Sequence, residues 1–297
     1  MIRTRSALLA VLLFTTAGVP VAWPDTPPTP KAIVDAAPAG DWRAVAPETL
    51  LVIDFAGGRR VLIELADAFA PMHVANIRAM ARAGFYDGLV IERVQDGYVT
   101  QWGDPDGKKP LPPGIVQPAP AEYERASTGL KFDSLPYRDT FADAVGFVGG
   151  WPTGMEQGRS WLIHCYGMVG VARDLSPDTG SGSDLYAVIG QAPRQLDRNI
   201  ALVGRVLSGM EALTALPRGS GEFGMYEDKS LRVPILRARL AINMPAAERP
   251  HVEVLKTDSA SYGMWLRFKA NRHDSFFVRP AGALDVCNAL PPVRTRP

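Results

Sequence analysis

Short blocks of apolar residues, most of them alternating or β-branched, recur along the middle of the chain and are separated by glycine-rich or polar turns. Leu50 to Phe55 and Val61 to Leu65 flank Gly57-Gly58, and two such runs around paired glycines predict a β-hairpin. Val74, Ile77 and Ala81 then recur at helical spacing. Pro71 suits the first turn of that helix, where its missing N–H would be unpaired anyway, and Gly84 is a stop. Leu89 to Val94 and Tyr98 to Trp102 predict a second pair of strands around Asp96-Gly97. Further on, Met168 to Ala172, Leu185 to Ile189 and Ile200 to Val206 predict strands, punctuated by Gly180 to Ser183 and Asp197 to Asn199. Ser208 with Glu211 three residues later carries a capping-box signature, and Met210, Leu213 and Leu216 predict a short helix stopped by Pro217. Val233 to Met244 predicts the last strand, with Pro234 near its start, where an edge or first position tolerates it. This order of hairpin, helix, hairpin, strands, helix and strand predicts a mainly β fold, a closed antiparallel barrel plugged by two helices.

The flanks and one long interior stretch do not follow this pattern. Arg3 and Arg5 precede an apolar run from Ala7 to Phe14, and small residues follow before Pro20. That is the layout of an export signal, so residues 1–22 are expected to be removed and the mature chain to be periplasmic or secreted. The apolar run is too short to span a bilayer comfortably, and no internal run is long enough, so no stable membrane span is expected after removal. Residues 23–47 are proline-rich and predict an extended linker that does not pack. The barrel is expected over residues 48–245. It is interrupted by an insert at about 105–158, whose proline and glycine content predicts either a functional loop or small elements of its own. Residues 246–297 form a C-terminal extension of mixed pattern.

Composition narrows the function classes. The chain has 297 residues, 46% hydrophobic and 21% charged, which is enough for a sizeable core. Lys+Arg is 32 against 31 Asp+Glu, a balance that argues against a nucleic-acid partner. The 2 cysteines exclude a disulfide-dense scaffold and a four-cysteine zinc site. In an oxidising compartment Cys165 and Cys287 allow one intramolecular bridge, and two buried free thiols are the alternative. His164-Cys165 has no partner at ligand spacing, so no metal is expected. Phosphate-binding glycine motifs are absent, and no other feature calls for a cofactor. No G-x-S-x-G occurs, and Ser181 and Ser183 sit in a turn rather than a nucleophile elbow.

The distinctive stretch runs from Phe85 to Pro105. Arg93 lies in its first predicted strand, and Tyr98 and Gln101 lie in or beside the second. A cationic fork, an aromatic ring and an amide can thus converge on one patch of barrel wall, suited to gripping an apolar ring and directing hydrogen bonds at an amide.

These residues resemble the cyclophilin family of peptidyl-prolyl cis/trans isomerases. The first block stands as Ile91-Glu92-Arg93, Gly97-Tyr98 and Gln101-Trp102-Gly103-Asp104. The second is echoed by Gly167 to Ala172 and Thr179 to Ile189, and the third by Leu196-Asp197 through Val203-Gly204-Arg205-Val206. The blocks occur in family order and cover about residues 48–245. The resemblance implies an eight-stranded barrel with two helices, proline-containing polypeptides as partners, and acceleration of X–Pro rotation. It assigns Arg93 to the prolyl nitrogen of the twisted amide and Gln101 to holding the peptide and Arg93. It places Tyr98, Val99, Tyr186, Leu196 and Ile200 around the proline, and Ala172 and Arg173 along the substrate chain. Several positions depart from the family pattern. Glu92 and Ile200 stand at common histidine positions, Trp102 at a glycine, Arg173 at an asparagine, Asp184 at a glutamine and Gln195 at an aromatic. Tyr98 and Tyr186 replace phenylalanines, and each added hydroxyl needs a partner or water. Gln195 argues against tight binding of the family's cyclic-peptide inhibitors. Two functions therefore follow: an exported prolyl isomerase assisting protein folding, or a catalytically weak proline-peptide-binding or chaperone module on the same fold.

Overall fold

The computed structural model describes residues 29–296, so the expected leader at 1–22 and the first part of the expected linker lie outside the described residues. In chain order, α1 (Pro30–Asp35) and β1 (Trp42–Ala44) precede a hairpin of β2 (Leu50–Phe55) and β3 (Arg59–Leu65). Then come α2 (Pro71–Arg82), β4 (Val90–Val94) and β5 (Val99–Gly103). The insert carries β6 (Arg125–Ala126), β7 (Phe132–Ser134), β8 (Ala144–Val148), β9 (Trp151–Glu156) and β10 (Arg159–Leu162). They are followed by β11 (Met168–Val171), β12 (Leu185–Val188), β13 (Leu202–Ser208), α3 (Met210–Thr214) and β14 (Val233–Leu240). The chain closes with β15 (His251–Leu255), α4 (Ala260–Ala270) and β16 (Val293–Arg296).

Eight strands form a closed barrel in the order β11-β12-β5-β4-β14-β2-β3-β13, every pair antiparallel. Closure leaves no free edge in this sheet. The inward-facing residues of the hairpins, such as Leu51, Ile53, Val61 and Ile63, share one core with Val74, Ile77 and Met80 of α2 and Leu213 of α3. The two helices thus plug the barrel as expected. Pro71 does sit in the first turn of α2, and Gly84, just past its end, has a φ of 67°. The capping-box expectation fails. Ser208 is the last residue of β13, paired with Leu62 of β3, and Gly209 precedes α3 with a φ of 91° and no side-chain cap. The chain passes so close to β3 here that a Cβ on Gly209 would meet the Arg60 carbonyl oxygen at 2.1 Å, which leaves no room for a capping side chain.

The expected linker is also corrected. From Pro30 onward it is folded: Thr29 caps α1, Pro30 starts it, and Ile33, Ala37, Trp42 and Val45 are buried. Proline at the start of a helix is preorganised, so a high proline count marked turns and helix starts rather than an unpacked tether. β1 pairs with β15, and β15 with β16, so the residues before the barrel and those after it share a three-stranded sheet.

The insert forms a five-stranded antiparallel sheet in the order β6-β10-β9-β8-β7 and reaches Leu162, a little beyond the expected boundary. A second core joins it to the extension and the barrel wall. Phe147 and Leu162 of the insert meet Tyr262, Trp265 and Phe268 of α4, Ile33 of α1, and Met168 and Leu202 of the barrel. Cys165 and Cys287 are disulfide-bonded across this core, which ties the extension to the barrel. No described helix is long and apolar enough to cross a membrane.

The bridge closes a loop with a sequence separation of 122, and cross-links of long loops chiefly restrict the unfolded chain. Replacing both cysteines (C165A/C287A) is expected to lower stability by about 2–5 kcal/mol. Hydrogen exchange should rise mainly over residues 284–296, with strands of the barrel still protected. Chemical denaturation and exchange mass spectrometry check this.

Candidate functional site

Arg93 and Gln101 face each other across β4 and β5, and the register shifts between Ile91 and Arg93. The shift is a β-bulge at Glu92: two residues of β4 oppose one of β5. That is why the consecutive side chains of Glu92 and Arg93 both reach the same amide. Arg93 Nη1 donates to Gln101 Oε1 at 3.1 Å, and Gln101 Nε2 donates to Glu92 Oε1 at 3.1 Å. The guanidinium has no acceptor and the ionised carboxylate no donor, so these two partners allow one orientation of the amide.

The rest of Arg93 is held from outside the barrel sheet. Its Nε donates to the Phe223 carbonyl at 2.7 Å, and Nη2 donates to Gln95 Oε1. Phe223 has a φ of 55°, an uncommon conformation for an aromatic residue, and its neighbour Gly224 packs directly against Gln95. The guanidinium carbon lies 5.9 Å from the centre of the Tyr98 ring. A guanidinium has five N–H donors and three are used here, so one hydrogen on each terminal nitrogen remains for a ligand.

Beside Arg93 lies an apolar cluster in which Val99, Tyr186 and Val188 are buried and Tyr98, Ala172 and Ile200 are partly exposed. Five of the expected substrate-binding residues are therefore brought together. Leu196 is half-buried in a single 3-10 turn, Arg194–Leu196, and is not part of that cluster. Arg173 is half-buried, and its guanidinium donates to the Asn199 carbonyl and the Asp174 carbonyl, 2.6 Å from the latter. It fastens the neighbouring loop.

The Tyr186 hydroxyl finds its partner inside the protein. It lies 3.0 Å from His164 Nε2, and His164 Nδ1 lies 2.9 Å from Asp197 Oδ1. A nitrogen facing a carboxylate carries its proton, and in the neutral imidazole the other nitrogen accepts from the tyrosine. His164 and Asp197 are buried, and the imidazole and phenol rings lie nearly parallel, end to end, with centroids 6.5 Å apart. Burial raises the hydroxyl's pKa, so the tyrosine stays neutral. Gly170 leaves the space for this ring, since a Cβ there would come within 2.3 Å of it. The sequence offers His164 no partner at ligand spacing and gives it no role beyond ordinary core or loop placement. Its partners stand 22 and 33 residues away, a separation at which no local spacing rule operates.

The floor under Gln101 is acidic. Glu92 is buried, and burial together with nearby Asp184 pushes its pKa up to about 7. Asp184 is likewise raised by burial, although it accepts from the Ser183 hydroxyl at 2.6 Å and the Asp104 N–H at 3.1 Å. The expected turn residues Ser181 and Ser183 bond to each other and to Asp184, not to a histidine. Among the described residues no group of three or more metal-ligating side chains comes together. The arrangement offers hydrogen-bond donors beside an apolar pocket, and neither a nucleophile paired with a base nor a metal centre.

Comparison with known proteins identifies the family of the barrel. The family described as cyclophilin type peptidyl-prolyl cis-trans isomerase matches residues 51–239. A probable peptidyl-prolyl cis-trans isomerase of Brucella suis is 27% identical over 177 residues, 60% of this chain and 76% of that protein. A peptidyl-prolyl cis-trans isomerase of Schizosaccharomyces pombe is 42% identical over 151 residues, 51% of this chain and 74% of that protein. The crystal structure of a cyclophilin from Hirschia baltica is 25% identical, with a TM-score of 0.67, and the match covers 90% of this chain and 97% of that one. The last match extends well beyond the barrel.

Two outcomes follow from the buried polar groups. Because folding raises the Glu92 pKa from 4.5 to about 7, its contribution to stability is complete below pH 4.5 and is lost as pH rises through 7. Glu92→Gln should remove that loss. The stability of E92Q relative to the parent is expected to increase between pH 5 and 8, by about 3 kcal/mol at most, in denaturation series at fixed ionic strength. Tyr186→Phe leaves His164 Nε2 buried without its partner and should cost about 1–3 kcal/mol by the same measurement.

Proposed function

Since this chain belongs to the cyclophilin-type peptidyl-prolyl cis-trans isomerase family, we propose that it accelerates X–Pro rotation in exported proteins, with Arg93 stabilising the twisted amide. The observation that carries this reading is the state of Arg93. Three internal acceptors fix its guanidinium at the edge of an apolar cluster, and two N–H groups stay free.

The chemistry asked of the site is small. Amide resonance sets a rotation barrier of about 18–20 kcal/mol. As the bond twists, the prolyl nitrogen regains its lone pair and becomes an acceptor. A donor already aimed at that nitrogen binds the twisted state better than either planar state, and only such differential binding accelerates a reaction. Val99, Tyr186, Ile200, Ala172 and Tyr98 hold the proline ring while the acyl side turns. Gln101 holds the guanidinium and offers its amide to the peptide backbone. No proton is transferred and no covalent intermediate forms, which fits a site without an activated nucleophile.

Export rests on the basic and apolar leader pattern at residues 1–22 and on the Cys165–Cys287 bridge, a bond that persists in oxidising compartments. Clients would be proline-containing polypeptides folding in the periplasm or outside the cell.

The test is exchange spectroscopy on a short Ala-Pro peptide with the mature protein and Arg93→Ala. Exchange should accelerate with the parent and fall by about a hundredfold with R93A, the usual effect of deleting one preorganised donor. Peptide binding should change far less. Binding without accelerated exchange in the parent overturns the catalytic reading and leaves a proline-binding or chaperone module.

A further inference from the structure

Next to the proline pocket, on the side of Tyr98, lies a cleft of about 800 Å³. Its walls come from three distant parts of the chain. The barrel supplies Tyr98 and the segment Gly190 to Gln195, the insert supplies Arg138 and Phe141, and the extension supplies Asn288. The walls are locked together. Arg194, buried, grips Asp139 of the insert with two bonds of 2.8 and 2.9 Å and Asp197 with one of 2.6 Å. Burial works to lower the Arg194 pKa, but these two carboxylates outweigh it and keep the cation charged. The extension wall is fastened by the bridge at Cys287.

We propose that the insert and the extension build a second subsite here, continuous with the proline pocket through Tyr98, that binds the client polypeptide beyond the X–Pro pair. The inference rests on the reading of the proline pocket given above. A chain whose proline sits beside Tyr98 is delivered to this cleft by continuity, since Tyr98 borders both. The lining suits an unfolded segment with apolar or aromatic side chains. Phe141 and Tyr166 are 53% and 44% exposed within it, and such rings make strong anchors at low entropic cost. The buried charges of Arg194, Asp139 and Asp197 are spent on one another. Asp285 already accepts the Cys287 N–H at 2.8 Å. Arg138 and the Asn288 amide remain for backbone carbonyls. Its volume falls within the roughly 300–1,000 Å³ of ordinary ligand sites, and walls fixed by ion pairs and a disulfide lose little freedom on binding.

The test compares a short Ala-Pro peptide with longer peptides carrying the same centre, extended on one side or the other by residues that include aromatics. Binding is followed by calorimetry and turnover by exchange spectroscopy, on the parent and on the surface variants Phe141→Ala and Tyr166→Ala, with melting curves confirming the fold. At least one extended series should bind the parent more tightly than the short peptide. F141A or Y166A should weaken that binding by roughly tenfold, the usual effect of truncating an aromatic anchor, and leave exchange of the short peptide unchanged. Equal affinity for short and long peptides in the parent overturns the subsite. So do variants that bind the long peptides as the parent does, or that slow short and long substrates alike. A parent that fails to speed exchange of the short peptide overturns the catalytic reading instead, and the calorimetric length dependence still decides the subsite.

Discussion

The side-chain amide of Gln101 lies between a guanidinium and a carboxylate, and the geometry of the site depends on that position. An amide between two like partners could turn either way. Between Arg93 and Glu92 only one orientation leaves no donor facing a donor. The arrangement exists because β4 carries an extra residue at Glu92, so that neighbours in sequence share one partner across the strands. Glu92 takes the position where the family commonly has a histidine, and the substitution has a direct electrostatic consequence. A buried carboxylate beside Asp184 is costly to ionise, which is why its pKa rises into the physiological range. The amide therefore donates to a group whose charge changes near neutral pH.

A second buried carboxylate organises the other side of the pocket. Asp197 accepts from the His164 backbone N–H and ring, and from Arg194 Nε. Through His164 it reaches Tyr186 in the apolar cluster beside Arg93, and through Arg194 it reaches Asp139 in the insert. Burying an ion pair is a poor route to stability by itself, since desolvation offsets much of the attraction. Its use here is positional. One carboxylate sets the tilt of an aromatic ring in the pocket and the approach of a sheet that the barrel does not otherwise need. The tyrosine hydroxyl, out of place in an apolar cluster, becomes the point where that network meets the cluster beside Arg93.

The barrel could be read from the chain because its signals are local. Gly57-Gly58 and Asp96-Gly97 punctuate alternating runs, and the spacing of Val74, Ile77 and Ala81 fits a helix and little else. The convergence of Arg93, Tyr98 and Gln101 was legible for the same reason, since all three are close in sequence, on paired strands or the turn between them. The errors arose where composition stood in for context. Proline before the barrel suggested a tether, yet Pro30 begins a helix whose Ile33 is buried against α4 and the insert. Ser208 had the chemistry of a cap, but the approach of Gly209 to β3 left it no role there. The pairing of His164 with Asp197 and Tyr186 was beyond reach, because only the closed fold brings the three together. The insert strands are short and lie among glycines and prolines, and no period survives over so few residues.

The insert and extension also bear on the client proposed for this barrel. A barrel that only gripped a proline would need the patch on β4, β5 and β12 with the flanking Ala172 and Ile200, and nothing more. Here the residues before the barrel, the insert and the extension share a core with one another, and a covalent bridge joins that core to the barrel wall. That apolar core and bridge hold rigid walls beside Tyr98. Rigid walls favour a ligand that is itself flexible, because the ordering cost then falls on one partner alone. An unfolded polypeptide is such a ligand, and slow X–Pro rotation is a problem that unfolded polypeptides have.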